Sequence, residues 1–595
     1  MRITPIQRFV VLLCLLVPLL AACGSTPQAS SPTSAPASNP TSDGASTTAP
    51  TTSDATDAPE ATQAPTDQPS TSGGKELRIN LNTWPDTLDP QDASVSNEIG
   101  VLNLIYEGLT RLDKDLNTVG AAAESWEYNE DATSITFTLR EGLTYSDGSP
   151  LTAQDFVNAT YRSLDPRGVV GDYQSTLFMI TGADAVLGAT MPDDEAKIPE
   201  LLSQLGVKAI DDRTIQFDFT QPTPYFHTLA SLWVLYPAKQ ELIDAGGETW
   251  FLDAANHIGN GPFRLTVLDE SQSRITLEAN EYYWAGRPAL DTVQLLFIGD
   301  LSVALQAYKN NEIDITAPDP NDVPTILADP VLSQEYIDPL GSCTESLELN
   351  NTKPPFDNKL VRQAFNVGFD REAYIRDALK DTSAPAVSWI PPGYPGYDAE
   401  DTRLAYDPVR AKELLAEAGF PNGQGLPEIK ISYNSNNPAN QARVEYIIQM
   451  YQNSLGISLV PDPVEGQTLN NLRKDVNTAP QLVSGGGWCA DYPDPQNWLS
   501  VFWESSSQFA QNIGYSNPEV DALLHQADVE ADPDKRAELY FEAQRLVVGD
   551  APYIIRSTSK SSYLVKPYVK GISITPQDSN TYPGMTTSLQ GVTIE

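Results

Sequence analysis

Histidine, cysteine and basic residues are scarce in this chain of 595 residues, which holds three His, four Cys and 37 Lys+Arg against 79 Asp+Glu. The formal net charge is −42. That acid excess argues against nucleic acid as a partner, because neutralising phosphates takes clustered Lys and Arg. Anionic lipid surfaces are disfavoured for the same reason, and the plain consequence of the charge is solubility. His227, His257 and His525 are too scattered to suggest a metal site and read as surface or packing residues. A G-x-S-x-G nucleophile elbow, an H-E-x-x-H pair and a G-x-x-x-x-G-K-[ST] phosphate loop are also missing; Gly74-Lys75 lacks the spacing, and Glu76 stands where Ser or Thr would be. No enzyme chemistry, cofactor or metal is therefore expected. The apolar run Phe9–Ala22 falls short of the about 20 residues that cross a hydrocarbon core, and no other stretch reaches that length. What is present is 40% hydrophobic residues, enough for large cores and too many for a wholly disordered chain. The length implies more than one domain.

Arg2 and Arg8 precede the Phe9–Ala22 run, which has the proportions of a secretory h-region. It ends in Leu20-Ala21-Ala22-Cys23-Gly24, and these residues resemble a bacterial lipobox. The resemblance implies a signal peptide over 1–22 and lipidation of Cys23 as the first mature residue; the alternative is an ordinary signal peptide with a chance cysteine. Stable anchoring needs more than one acyl chain. Residues 24–74 are almost all Ser, Thr, Ala, Pro, Gly and Gln, a composition that cannot bury a core. With Cys23 they are expected to form a tether over 23–74, which as a coil would reach roughly 40 Å. The expected location is the extracytoplasmic face of the cell membrane, within a periplasm if an outer membrane is present.

From Lys75 the pattern changes. Leu77, Ile79 and Leu81 alternate with polar residues, as do Ile135, Phe137 and Leu139, then Ile215, Phe217 and Phe219, and Ile275 with Leu277. That period of two predicts half-buried strands. Thr152 with Asp155 predicts a capping box that opens a helix carrying Phe156, Val157 and Tyr161 inward. Asp407-Pro408 predicts a second helix with Val409, Ala411, Leu414, Leu415 and Ala418 on one side and Gly419 as its stop. Two more are predicted from about Pro518 to Val529 and from about Pro533 to Val548. Strands mixed with helices place the body in the α/β class.

Cys14 lies in the h-region, so Cys343 and Cys489 are the only thiols of the body. In an exported protein such a pair most simply forms one disulfide, with two free thiols as the alternative. Gly485-Gly486-Gly487-Trp488-Cys489-Ala490-Asp491-Tyr492-Pro493-Asp494-Pro495 surrounds one half of that bridge. Glycines let another backbone approach, and aromatics offer stacking area. A carboxylate on a stapled loop can receive an ammonium group through charge-assisted hydrogen bonds. The segment reads as a rigid recognition loop.

At this point the chain resembles the family 5 solute-binding proteins of ABC importers, in their oligopeptide-binding branch, from about Leu77 to Ile594. The resemblance rests on Leu88-Asp89-Pro90, Tyr106-Glu107-Gly108-Leu109, Ala123-Glu124-Ser125-Trp126, Phe137-Thr138-Leu139-Arg140 and the run from Tyr145 to Phe156. Gly206 to Asp212, Asn350, Pro354-Pro355-Phe356, Val361-Arg362, Asp370-Arg371 and Trp488 to Tyr492 follow in order. It implies a two-lobed clamp of mixed β-sheets flanked by helices. Lobe I would comprise 75–106, 223–342 and 561–595 with an inserted domain at 107–222, and lobe II would comprise 343–560. It also implies capture of an oligopeptide between the lobes and delivery to an ABC permease, with the protein acting as a monomer. Asp491 would take the peptide α-amino group, main-chain groups of Gly487, Trp488 and Cys489 would pair with the peptide backbone like an added strand, and Tyr173 and Glu348 would line the pocket.

The pattern is incomplete toward the ligand's carboxyl end. Gly485 stands where oligopeptide binders often carry Arg, Ala439 where a His serves the carboxyl end, and Gly341 and Ser346 about where tyrosines line the cavity. Arg473 and Lys380 are the cations available as replacements. The same fold with a non-peptide nutrient, an oligosaccharide or a metal chelate, is the alternative reading; an exported hydrolase or a purely structural envelope protein are the others.

Overall fold

The computed structural model describes residues 75–168, 171 and 173–595. The expected signal peptide over 1–22, the expected lipidation site Cys23 and the expected tether lie outside the described residues. Among those described, no helix is long and apolar enough to cross a membrane.

Three sheets organise the body. The first has seven strands in the spatial order Tyr336–Ile337, Tyr563–Val565, Ile315–Thr316, Glu76–Asn80, Thr292–Leu296, Arg274–Ala279 and Phe263–Asp269. Glu76–Asn80 runs parallel to both of its neighbours, and the other pairs are antiparallel. The second sheet is ordered Ser383–Pro385, Tyr553–Lys560, Leu340–Leu349, Leu482–Val483, Ile429–Asn434 and Leu459–Val464, and the short strand Gly487–Cys489 adds to Leu340–Leu349. The third has four antiparallel strands, Ala123–Tyr128, Ser134–Leu139, Thr214–Asp218 and Val207–Asp211.

The alternation seen in sequence is the alternation of burial. Leu77 and Ile79, Ile135 and Phe137, Ile215 and Phe217, and Ile275 and Leu277 are all fully buried in one apolar core that joins the first and third sheets. A second core gathers Leu347, Leu349, Phe365, Trp389, Tyr451 and Trp498 around the second sheet. Leu112 and Leu116 join this second core although the chain around them belongs with the first, and Tyr492 makes the reverse crossing.

The helix Ala153–Leu164 opens as predicted: the Asp155 carboxylate accepts from the Thr152 N–H at 2.7 Å, with Phe156 and Val157 buried and Tyr161 partly so. Pro408–Glu417 starts at Asp407, whose carboxylate accepts from the Val409 and Arg410 N–H groups. It buries Ala411, Leu414 and Leu415, but Val409 is 68% exposed, against expectation. Val409 sits two residues, about 200° of helix, from Ala411 and so falls outside the stripe at 411, 414, 415 and 418. The last two helices span Pro518–Val529 and Pro533–Asp550.

Candidate ligand-binding site

The strand Gly487–Cys489 lies antiparallel to Leu340–Leu349, with Cys489 opposite Cys343, Trp488 opposite Thr344 and Gly487 opposite Glu345. The two cysteines are joined, with their Cα atoms 4.0 Å apart. Flanking hydrogen bonds run from Ser346 N–H to the Gly486 carbonyl and from Ala490 N–H to the Ser342 carbonyl. By the two-residue period of a strand, Trp488 also turns its main-chain groups toward Leu340–Leu349, and Gly487 and Cys489 turn theirs to the open edge. Of the three residues expected to meet a peptide main chain, Gly487 and Cys489 thus have their main-chain groups on the open edge, and Trp488 has its own toward the sheet. The indole of Trp488 packs edge-on against Phe502 and Phe509. Glycine is required at 487, where φ is +136° and a Cβ would stand 2.0 Å from the Thr344 carbonyl oxygen.

Two residues beyond the bridge, Asp491 is partly exposed and held on both oxygens. Tyr173 OH donates to Oδ1 at 3.0 Å, and Asn497 Nδ2 donates to Oδ2 at 3.0 Å. Asn497, 1% exposed, also accepts through Oδ1 from the Asp491 N–H at 3.0 Å and from Trp488 Nε1 at 3.1 Å, so one amide fixes both the acid and the indole. It sits in the short helix Pro495–Trp498, which Asp494 caps by accepting from the Gln496 N–H. Asp494 is itself paired through both oxygens with Arg536 at 2.8 Å. From the other side Gln577 Nε2 donates to the Ala490 and Asp491 carbonyls. Burial pushes the Asp491 carboxyl above its ordinary value, and the hydrogen bonds from Asn497 and Tyr173 hold back part of that rise. Among the described residues no cation forms an ion pair with it. The arrangement is a positioned carboxylate served only by neutral donors, suited to receive a ligand's ammonium group.

Asp491 borders a cavity of about 280 Å³, shared with Tyr106, Tyr173, Trp233, Cys489 and Gln577. Tyr173 meets Trp233 edge-on with ring centroids 4.7 Å apart. Glu348 lies elsewhere: it is 8% exposed, does not line this cavity, and grips Arg473 through both oxygens, Nε to Oε2 at 2.7 Å and Nη2 to Oε1. Arg473, offered from sequence as a replacement cation, is thereby already engaged. Lys380 donates to the Asp377 carbonyl at the surface. Ala439 is the second residue of the helix Pro438–Leu455, its N–H donated to Asn437.

His257 is buried, with Nε2 2.7 Å from the Phe251 carbonyl oxygen, and His227 stacks on Trp126. Among the described residues no group of three or more His, Cys, Asp or Glu is placed to hold a metal.

Sequence reasoning missed Asn497 and Gln577. For Asn497 a signal existed, because Asp494-Pro495 is a helix start that brings residue 497 back over the loop. Gln577 reaches the site from a distant segment and carries no local signal.

The family profile of the bacterial extracellular solute-binding proteins, family 5, middle, matches residues 117–510. The oligopeptide-binding protein OppA of Bacillus subtilis is 30% identical over 494 residues, 81% of this chain and 87% of that protein. Heme-binding protein A of Haemophilus influenzae is also 30% identical, over 502 residues that cover 81% of this chain and 86% of that protein. Among solved structures, the periplasmic murein tripeptide-binding protein MppA in its unliganded open form superposes with a TM-score of 0.76 at 26% identity, covering 88% of this chain and 97% of that one. The α/β clamp expected from the sequence is therefore the fold of this chain.

Proposed function

Because the chain belongs to family 5 of the bacterial extracellular solute-binding proteins, we propose that it captures oligopeptides between two lobes and hands them to the permease of an ABC importer. It acts outside the cytoplasm as a monomer, held to the membrane by acyl chains on Cys23. Lobe I comprises 75–106, 223–342 and 561–595 with the insertion 107–222, and lobe II comprises 343–560. The observation that carries the reading is the Asp491 carboxylate, bonded by Tyr173 and Asn497, bordering a cavity and paired with no cation among the described residues. A peptide's α-ammonium supplies the missing charge. The outward main-chain groups of Gly487 and Cys489 then pair with the first peptide units, a mode that draws affinity from the backbone and tolerates varied side chains. Tyr173 holds Asp491 from across the cleft, and Glu348 contributes by fixing Arg473. The name of the Bacillus subtilis relative, an oligopeptide-binding protein, supports the cargo.

The test is isothermal titration with matched peptides whose amino end is free or acetylated. Asp491→Asn is expected to weaken binding of free-amine peptides tenfold or more and of acetylated ones by less than threefold. Equal loss for both would remove Asp491 from this role.

A further inference from the structure

The cavity beside Asp491 has a cation in its wall that the sequence did not single out. Arg111 lies in the strand Thr110–Leu112, between two buried neighbours, and is the only Lys, Arg or His among the described residues that line this cavity. Its side chain is 26% exposed. Its Nε is enclosed and without a hydrogen-bond partner, and its guanidinium makes no hydrogen bond to a described residue. Glu107 forms an ion pair with it, Oε1 standing 3.6 Å from Nε, a separation beyond hydrogen-bond reach. Both Glu107 oxygens are already taken, Oε1 by Tyr283 OH at 2.8 Å and Oε2 by Trp284 Nε1 at 2.6 Å. Trp284 in turn is stacked by Arg140, whose guanidinium carbon is 3.6 Å from the ring centroid, while that of Arg111 is 6.0 Å away. Arg140 is thus committed to the wall, and also donates to the Ala121 carbonyl. Arg111, paired with Glu107 by charge alone, keeps a planar fork of donors without hydrogen bonds, a group matched to a carboxylate.

We propose that Arg111 receives a carboxylate of the bound ligand, so that Asp491 and Arg111 together select a short peptide carrying a free ammonium group and a carboxylate. The inference rests on the peptide reading and deepens it. It supplies the acid-binding half of the site that Gly485, Ala439 and the engaged Arg473 do not. The cavity that both residues line, about 280 Å³, falls just below the roughly 300 to 1,000 Å³ of ordinary ligand pockets, which suits a short peptide. The carboxylate can come from the chain end or from an acidic side chain.

Titration with trialanine, trialanine amide and glutamyl-alanyl-alanine amide separates these cases. The wild-type protein is expected to bind trialanine at least tenfold more tightly than its amide. Arg111→Gln should erase that preference, weakening trialanine tenfold or more and its amide by less than threefold, and Arg111→Lys should restore part of it. Tight binding of the glutamyl amide, lost in Arg111→Gln, assigns the carboxylate to a side chain and supports the same role. Equal wild-type affinity for all three peptides overturns the inference whether or not the variants fold. So does an equal loss for acid and amide in Arg111→Gln, which would make Arg111 a packing residue. If the wild-type protein binds none of the three but does bind longer peptides, only this inference fails; if it binds no peptide at all, the peptide reading fails with it.

Discussion

Asp491 stores a charge that the folded chain does not neutralise. Its oxygens accept from Tyr173 and Asn497, and burial still lifts its carboxyl above the ordinary aspartate value. An acid raised in this way contributes stability that is present at low pH and lost as pH rises through its folded value, so the ionised form costs the empty protein something at neutral pH. A bound ammonium reverses the balance by favouring the carboxylate. Affinity for free-amine peptides should therefore fall on acidification, starting above the range of an ordinary aspartate, by up to about tenfold per pH unit. Titration across pH 4 to 7 checks this, and Asp491→Asn should flatten the profile. The melting temperature of the empty variant should not fall below that of the wild type, because the substitution removes an unpaired charge rather than an ion pair. Stability given up at one residue is here the measure of what the ligand returns.

The element that presents Asp491 is three residues long and would not persist alone. Gly487–Cys489 is fixed by its ladder to Leu340–Leu349, by the Cys343–Cys489 bridge across that ladder and by Asn497 beneath it. The bridge closes a separation of 146 residues, for which chain entropy alone gives up to about 5 kcal/mol. Replacing both cysteines by serine should cost about 2–5 kcal/mol in denaturant unfolding and weaken peptide binding as well. Unchanged affinity in a protein so destabilised would show that the bridge serves folding alone. Local order of this kind was legible in the sequence where local chemistry decides it. Thr152 with Asp155, Asp407-Pro408 and the alternating Leu77 and Ile79 each announce an element, and each element is there. Val409 departs from the expected face because apolar character alone does not carry a residue's angle around the helix. The facing of Trp488 has no local signal, because which edge of a strand a residue serves depends on its register against a partner, here Thr344, far away in the chain.

At the scale of the molecule, the site is assembled from segments far apart in the chain. Tyr173 and Asp491 are separated by 318 positions, and Gln577 reaches back 87 to Ala490. Ordered motifs pointed to the family and through it to roles for Asp491 and Tyr173, while the cysteine pair was legible from the cysteine count. The motifs could not reveal that Arg473 is spent on Glu348, or that Arg111 borders the cavity with its guanidinium free of hydrogen bonds, since each depends on contacts that no spacing encodes. The family resemblance also leaves cargo to the site itself, since a heme-binding and an oligopeptide-binding protein share the same 30% identity with this chain. Two lobes of this kind bind by shifting toward a closed state around the ligand, so a captured ligand is enclosed and can survive purification. The most direct test is accordingly to purify the protein without refolding, release its contents under denaturing conditions and identify them by mass spectrometry. The account predicts short peptides with free amino ends, depleted in a parallel preparation of Asp491→Asn. Recovery of sugars, heme or metal chelates in their place would contradict it.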